Sequence, residues 1–367
     1  MIVAIDASRA EVTKKTGVEY YSYYLIKSLI SVIPKDVKVI LYSRISLGSI
    51  FGELPNNWQN KVLSWPPKFL WTQLRLCWQA NHDKLDILFI PSHVPPLLYC
   101  KPTVTTIHDI SWKKIPKAYT LRSKLFLNIV TKWVFKKSAA IITISDYSKQ
   151  EFKKYYPFSS NKVVAIYLGP TLPVVDTTIK NLPEKYFLIL GRVELKKNII
   201  TAVQALAQLQ KSNNLINHKI VLIGRKGVGG NKIFQQIKKL NLNNQVIYLN
   251  WQPAEVVSQY LSNATALLFP GAYEGFGLPV LDAWAHHVPV IASNAGALPE
   301  VIADSGLLAE VNNVSDWQAK LKMIIDNENI RQNLINRGRQ RLQLFSWQQT
   351  AEKTWQALNL VVRVNPS

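Results

Sequence analysis

The apolar positions of this chain gather into short, nearly continuous runs, and the stretches between them carry a helical period. Residues 2–5, 38–42, 87–91, 104–107, 139–144 and 163–166 read as strands, with a helix over 20–32. Runs without polar alternation are what strands covered on both faces show, and their alternation with helices predicts a parallel α/β sheet. A second series repeats the pattern. Residues 187–190, 220–223, 246–248, 266–269 and 290–292 read as strands; 199–209, 233–240, 256–261, 278–286 and 298–302 read as helices. Residues 170–183 hold prolines and little periodicity, as a linker would. The fold expected is α/β, with two doubly wound, Rossmann-like domains facing a central cleft, and ligands gathering at the carboxyl ends of the strands. The boundaries expected are 1–170 for the first domain, 171–183 for the linker and 184–346 for the second.

One segment is richest in chemistry: Phe269 to Ala283, FPGAYEGFGLPVLDA. It reads as a strand end, a Gly-rich turn and a helix start. The amides of Gly275, Phe276 and Gly277, with Leu278 following, open that helix, where the dipole and unpaired N–H groups favour an anion. A diphosphate fits there, with Glu274 facing one polyol and Asp282 another. Eight residues of helix advance about 12 Å, too far for two carboxylates to share a proton or a metal. They suit separate hydroxyl groups on a long ligand, and a nucleotide sugar has that layout. An acidic pair flanking an ordinary strand–helix turn has the same spacing, which does not choose between the two.

This segment resembles the Glu-x7-Glu signature of the family 4 retaining glycosyltransferases, which adopt the GT-B fold. MIVAIDA with Thr16-Gly17-Val18 resembles the family's first strand and glycine loop. Thr105-Thr106-Ile107-His108-Asp109 resembles the strand end that bears its active-site histidine, and IITISDYS its VSxxS strand. Gly191-Arg192-Val193-Glu194-Leu195-Lys196-Lys197-Asn198 resembles its phosphate-binding block, and Gly296-Ala297-Leu298-Pro299-Glu300-Val301 the block after the signature. The likeness spans nearly the whole chain in order, with one departure, Asp282 where the family has Glu. It implies that Glu274 binds donor-sugar hydroxyls, Asp282 the ribose, and Arg192 and Lys197 the diphosphate. It further implies that His108 positions the sugar, and that a C-terminal helix, 347–367, crosses back onto the first domain. Fixed cations would stabilise negative charge where it grows on the leaving diphosphate. Gly17 either lets a backbone amide approach that diphosphate or serves a simple turn.

Charge adds a partner. The chain has 44 Lys and Arg against 23 Asp and Glu, +21 in all. From Lys113 to Lys137 there are eight bases and no acid. Leu121, Leu125, Phe126, Ile129, Val130, Trp133 and Val134 recur there at helical spacing. Such a helix can lie on an anionic membrane surface or pack its stripe on the core. No nucleic-acid module is present, so nucleic acid is not an expected partner. Two cysteines build neither a disulfide framework nor a metal cluster. No Asp-x-Asp motif occurs, and the histidines show no ligand-type clustering, so no metal and no cofactor is expected beyond the nucleotide-sugar substrate. The Gly-rich run 224–231 lacks the P-loop pattern and reads as a mobile loop. No signal peptide and no uncharged run long enough to span a membrane are apparent. The expected place is the cytoplasm, peripheral on the inner face of the cell membrane.

The function expected is a metal-independent retaining hexosyltransferase of cell-surface polysaccharide synthesis, acting on a glycan or polyprenyl-linked acceptor. Mannose from GDP-mannose is the first choice, from the likeness of Ile5-Asp6-Ala7 and Thr16-Gly17 to bacterial polysaccharide mannosyltransferases. A sugar phosphorylase or synthase of the same fold and a non-catalytic membrane-bound partner subunit are the alternatives.

Overall fold

The apolar runs of the first half become one parallel sheet. Its strands are β1 (Ile2–Asp6), β2 (Lys38–Ser43), β3 (Trp58–Val62), β4 (Ile87–Ile90), β5 (Thr103–Thr106), β6 (Ala140–Thr143) and β7 (Val163–Ala165), in spatial order β3-β2-β1-β4-β5-β6-β7. The computed structural model describes residues 1–13, 15–48, 50–66, 69–92, 94–175, 182–213 and 215–364. Helix α1 (Gly17–Val32) opens on a capping box of Thr16 and Glu19. A π-helical turn, Trp71–Leu76, runs into α2 (Cys77–His82); α3 (Ser111–Lys114), α4 (Leu121–Lys137) and α5 (Asp146–Tyr155) follow. Alternate strand residues Ala4, Ile40, Tyr42, Leu88 and Ile90 bury one face of the sheet against Trp71, Leu76, Cys77 and Ala80.

The second series forms its own parallel sheet. Its elements are β8 (Tyr186–Leu190), α6 (Ile199–Ser212), β9 (Lys219–Ile223), α7 (Gly230–Lys239), β10 (Val246–Leu249), α8 (Ala254–Ser262), β11 (Ala266–Phe269), α9 (Leu278–Ala285), β12 (Val290–Ser293), α10 (Leu298–Ile302) and β13 (Leu307–Ala309). Two further helices, α11 (Val314–Asp326) and α12 (Glu328–Leu342), complete it, and α13 (Trp347–Val364) ends the described chain. The strand order is β10-β9-β8-β11-β12-β13. Two units result: Met1–Ile110 with Thr120–Gly169 and Ser346–Ser367, and Ser111–Tyr119 with Pro170–Phe345. Helix α13 thus belongs to the first unit, where Trp347 stacks on Tyr24 at 5.4 Å and Thr350 donates to the Tyr167 carbonyl.

Several elements escape the hydrophobic pattern, β13, α2 and α11 among them, and two more, β3 and α12, show why. Strand β3 has only Trp58 buried, and it is held by polar groups: Asn60 donates to the Leu41 carbonyl and to Ser43 Oγ, and Lys61 pairs with Asp83 at 2.7 Å. An edge strand faces water on one side and needs little apolar sequence. Helix α12 buries only Leu334 and Gly338 among fifteen residues, too thin a stripe to read. The stripe read along α4 divides in two. Val130, Val134 and Phe135 are buried, whereas Leu121, Leu125, Phe126 and Ile129 are 58–79% exposed.

Candidate active site

In the second unit the strand order reverses between β8 and β11, the switch point at which such sheets bind ligands. The loops leaving β8, β11 and β12 are joined there. The Ala272 amide donates to the Lys196 carbonyl at 2.8 Å, and Ser293 Oγ donates to the Gly271 carbonyl. Lys197 leaves a single 3-10 turn, Leu195–Lys197, which Asn198 closes in the left-handed region at φ 48°. Its Nζ donates to Glu274 Oε1 at 2.6 Å and sits 5.1 Å from the centre of the Phe269 ring. Both side chains are largely shielded, at 19% and 13% exposure, so the pair is held in one geometry.

Glu274 is also fixed from behind. Its carbonyl accepts the Ala297 amide at 2.9 Å. Gly296, at φ +61°, approaches so closely that a Cβ there would lie 2.8 Å from the Glu274 amide nitrogen and closer still to its carbonyl oxygen. Only glycine fits this approach.

Arg192 stands on the same loop as Lys197, with its side chain 57% exposed and Nε 4.0 Å from Glu194. Glu194 is buried and also receives Lys196 at 3.3 Å. The Gly-rich run after β9 is braced, which corrects its reading as a loose loop. Val193 donates to the Arg225 carbonyl and Gly227 to the Val193 carbonyl, both at 2.9 Å. A Cβ at Gly227 would lie 2.7 Å from Glu194 Oε2. A Cβ at Gly230 would lie 2.7 Å from the Val193 carbonyl oxygen, and one at Gly224 would meet the Gly191 carbonyl, so at these two glycines the backbones touch.

The start of α9 is narrower than the sequence suggested. Gly277 caps it at φ +121°, Pro279 has no N–H, and the Val280 amide already bonds the Gly277 carbonyl at 2.8 Å. The Phe276 ring is buried edge-on against Phe345, so its backbone, with that of Gly275, shapes the turn while its side chain serves the core. The Leu278 amide lies at the first helical position, where no intrahelical acceptor exists.

Asp282 departs from expectation. It is 3% exposed and does not project toward water. Its Oδ1 accepts the amides of Thr171 and, at 2.9 Å, Leu172; its Oδ2 accepts the Thr171 hydroxyl at 2.9 Å. Burial pushes this carboxyl above the usual range, against the three hydrogen bonds that favour its charged form. Nothing in the sequence pairs two residues that lie 111 positions apart.

In the first unit, His108 lies just past the end of β5. Its ring donates to the Pro91 carbonyl, Tyr21 packs edge-on at 4.8 Å, and Nε2 is buried with no partner among the described residues. Burial holds its pKa below the ordinary value, although Asp109, the Pro91 bond and Glu19 pull the other way. The neutral ring therefore keeps its proton on Nδ1, and Nε2 offers a lone pair to a donor such as a hydroxyl. At Gly17, a Cβ would meet nothing within 4 Å, so open space adjoins the first residue of α1. Asp6, at the end of β1, was not singled out from the sequence. It is buried, accepts the Ser8 amide at 2.9 Å, and burial raises its pKa. Among the described residues no three His, Cys, Asp or Glu side chains gather as a metal-binding group.

Comparison with known proteins covers both units. The family described as Glycosyltransferase Family 4 matches residues 15–170, and the one described as Glycosyl transferases group 1 matches 176–341. O-antigen chain mannosyltransferase B of Escherichia coli is 27% identical over 70% of this chain and 70% of its own. O-antigen chain mannosyltransferase RfbU of Salmonella typhimurium is 27% identical over 84% of this chain and 87% of its own. HepE of Anabaena, solved with UDP-glucose, superposes with a TM-score of 0.74 at 16% identity, covering 98% of this chain and 99% of that one. Two parallel-sheet, Rossmann-like domains of the GT-B type are thereby established as the fold.

Proposed function

From the premise that this chain belongs to the family 4 glycosyltransferases, we propose that it moves mannose from GDP-mannose to a glycan or polyprenyl-linked acceptor in cell-surface polysaccharide synthesis. The relatives named as O-antigen mannosyltransferases support the sugar and the pathway class. The observation that carries the reading is the Lys197–Glu274 pair at the switch point, with Arg192 exposed on the loop that carries Lys197. Glu274 takes hydroxyls of the donor sugar. Lys197 and Arg192 take the diphosphate and stabilise the charge that develops as the glycosidic bond breaks. A planar Arg fork grips two oxygens where Lys supplies a point charge. The amide of Leu278 and the Gly275–Gly277 backbone meet a phosphate oxygen at the start of α9. His108 Nε2 accepts a sugar hydroxyl, and Gly17 leaves room for a phosphate at the start of α1. Departure of the diphosphate and attack by the acceptor hydroxyl occur on one face, so the anomeric configuration is retained. Side-chain cations and helix amides do the work a divalent metal does in other transferases.

The reading extends to a membrane surface. Among the described residues no helix is long and apolar enough to cross one. The exposed Leu121, Leu125, Phe126 and Ile129 of α4, flanked by Arg122, Lys124, Lys132 and Lys136, fit an anionic leaflet on which the protein rests peripherally.

Thermal melts with UDP, GDP, ADP and their sugar conjugates, with chelator present, test the donor. At 100 times its dissociation constant a ligand adds about 2.7 kcal/mol. Stabilisation by GDP-mannose beyond GDP, lost in Glu274→Ala, supports the site. A shift with a different nucleotide reassigns the donor, and silence across the panel removes the donor reading. Phosphate-dependent cleavage of a glycan would instead indicate a phosphorylase.

A further inference from the structure

The acidic residue on α9 is engaged by the chain itself. Three donors from two adjacent residues converge on Asp282: the Thr171 amide, the Leu172 amide and the Thr171 hydroxyl. Both residues lie near the start of the longer segment of the second unit, Pro170–Phe345. One helical turn on, His286 continues the same attachment. Its Nδ1 is 2.7 Å from the Asp282 carbonyl, and its Nε2 is 2.7 Å from Ser258 Oγ and 3.2 Å from the Pro173 carbonyl. Ser258, on α8, donates to that same carbonyl at 2.6 Å. Asp282, His286 and Ser258 are all buried. The segment 171–173 is thus held to one side of α9 by groups from two helices, while the other end of α9 carries the Glu274 turn.

We propose that Asp282 is a positioning residue: its carboxylate clasps Thr171 and Leu172 to α9 and so fixes the helix whose first turn receives the donor, while the ribose is recognised elsewhere. At Oδ2 a ribose hydroxyl would compete with the Thr171 hydroxyl, and at Oδ1 it would have to displace one of two backbone amides. That leaves an N–H unsatisfied away from water, a loss as large as the bond gained. Glu, longer by one methylene, fits a ligand outside the helix; the shorter Asp fits a backbone packed against it.

The inference rests on the donor reading above, and the test separates the two. Dissociation constants are measured calorimetrically for the stabilising nucleoside diphosphate and its 2′-deoxy and 3′-deoxy forms. The proteins are the wild type, Asp282→Asn, Thr171→Val and Thr171→Ser. A clasp predicts that Asp282→Asn and Thr171→Val weaken all three nucleotides by a common factor, that Thr171→Ser restores binding, and that the deoxy penalty is the same in every protein. A hydrogen bond to a charged group is worth about tenfold or more in affinity. If Asp282→Asn abolishes the deoxy penalty, Asp282 is a ribose ligand and the clasp is overturned. It is equally overturned if Thr171→Val is silent where Asp282→Asn is not. If no nucleotide binds the wild type, the donor reading fails and melting decides the clasp. Asp282→Ala and Thr171→Val must then destabilise non-additively, and strict additivity overturns the proposal.

Discussion

Replacing Gly296 with alanine tests how Glu274 is placed without touching any group that meets the donor. The residue sits at φ +61°, where a side chain costs about 1–2 kcal/mol. The new Cβ would lie 2.8 Å from the Glu274 nitrogen and 3.1 Å from its carbonyl carbon, with the carbonyl oxygen nearer still. Carbon contacts relax at about 3.5–4.0 Å, so one of the two backbones must retreat by about 1 Å. The Ala297–Glu274 hydrogen bond then lengthens, and the carboxylate moves off Lys197. A displacement of about 1 Å at a reacting centre lowers turnover about 10²-fold. The assay is donor turnover and calorimetric binding of the nucleotide with and without its sugar, beside a melting curve. We expect a folded protein that melts somewhat earlier, binds nucleotide, and has lost the increment that the sugar adds. Turnover within threefold of wild type would refute the claim that Gly296 sets the Glu274 geometry.

Gly17→Ala meets nothing within 4 Å and joins a helix, so the fold should be as stable or gain about 0.5–1 kcal/mol. Turnover should still fall about tenfold; full turnover would remove Gly17 from the site. His218, stacked on Phe187 at 5.2 Å, is drawn down to about 4, by burial first and then by Lys185 and Arg331. A buried neutral histidine protects the fold only above its unfolded value, so stability is lost as the pH falls from about 6.5 toward 4. His218→Phe should shrink the difference between melting temperatures at pH 7.5 and 5.0, and an undiminished difference would contradict the assignment. On α4, Phe126→Asp should cut cosedimentation with vesicles containing phosphatidylglycerol about tenfold and leave binding to neutral vesicles low. Unchanged cosedimentation would place the membrane contact elsewhere.

Much of this protein was legible in its residues. Continuous apolar runs fixed strands buried on both faces, and their alternation with helices fixed two parallel sheets. Strand β11 and helix α10 run where the pattern put them, because a run of four buried residues such as Ala266–Phe269 has no other use. Strand β3 and helix α12 were not legible, since an edge strand and a thin surface helix are stabilised by hydrogen bonds and capping that leave no hydrophobic period. Among the site residues, the neighbours in sequence were readable as a unit: the turn that carries Glu274, and the loop with Arg192 and Lys197.

What the sequence determined by itself is the set of local devices: which segment turns on glycine, which opens a helix, and which brings a cation beyond a strand. The meeting of Lys197 with Glu274, the close backing of Glu274 by Gly296, and the capture of Asp282 by Thr171 were decided only in the tertiary structure. The reason is physical. Hydrophobic periodicity reports what one segment does with its own faces, whereas a carboxylate's role depends on which donors are buried beside it. For Asp282 those donors come from Thr171 and Leu172, 111 and 110 positions earlier in the chain, where no period within α9 announces them.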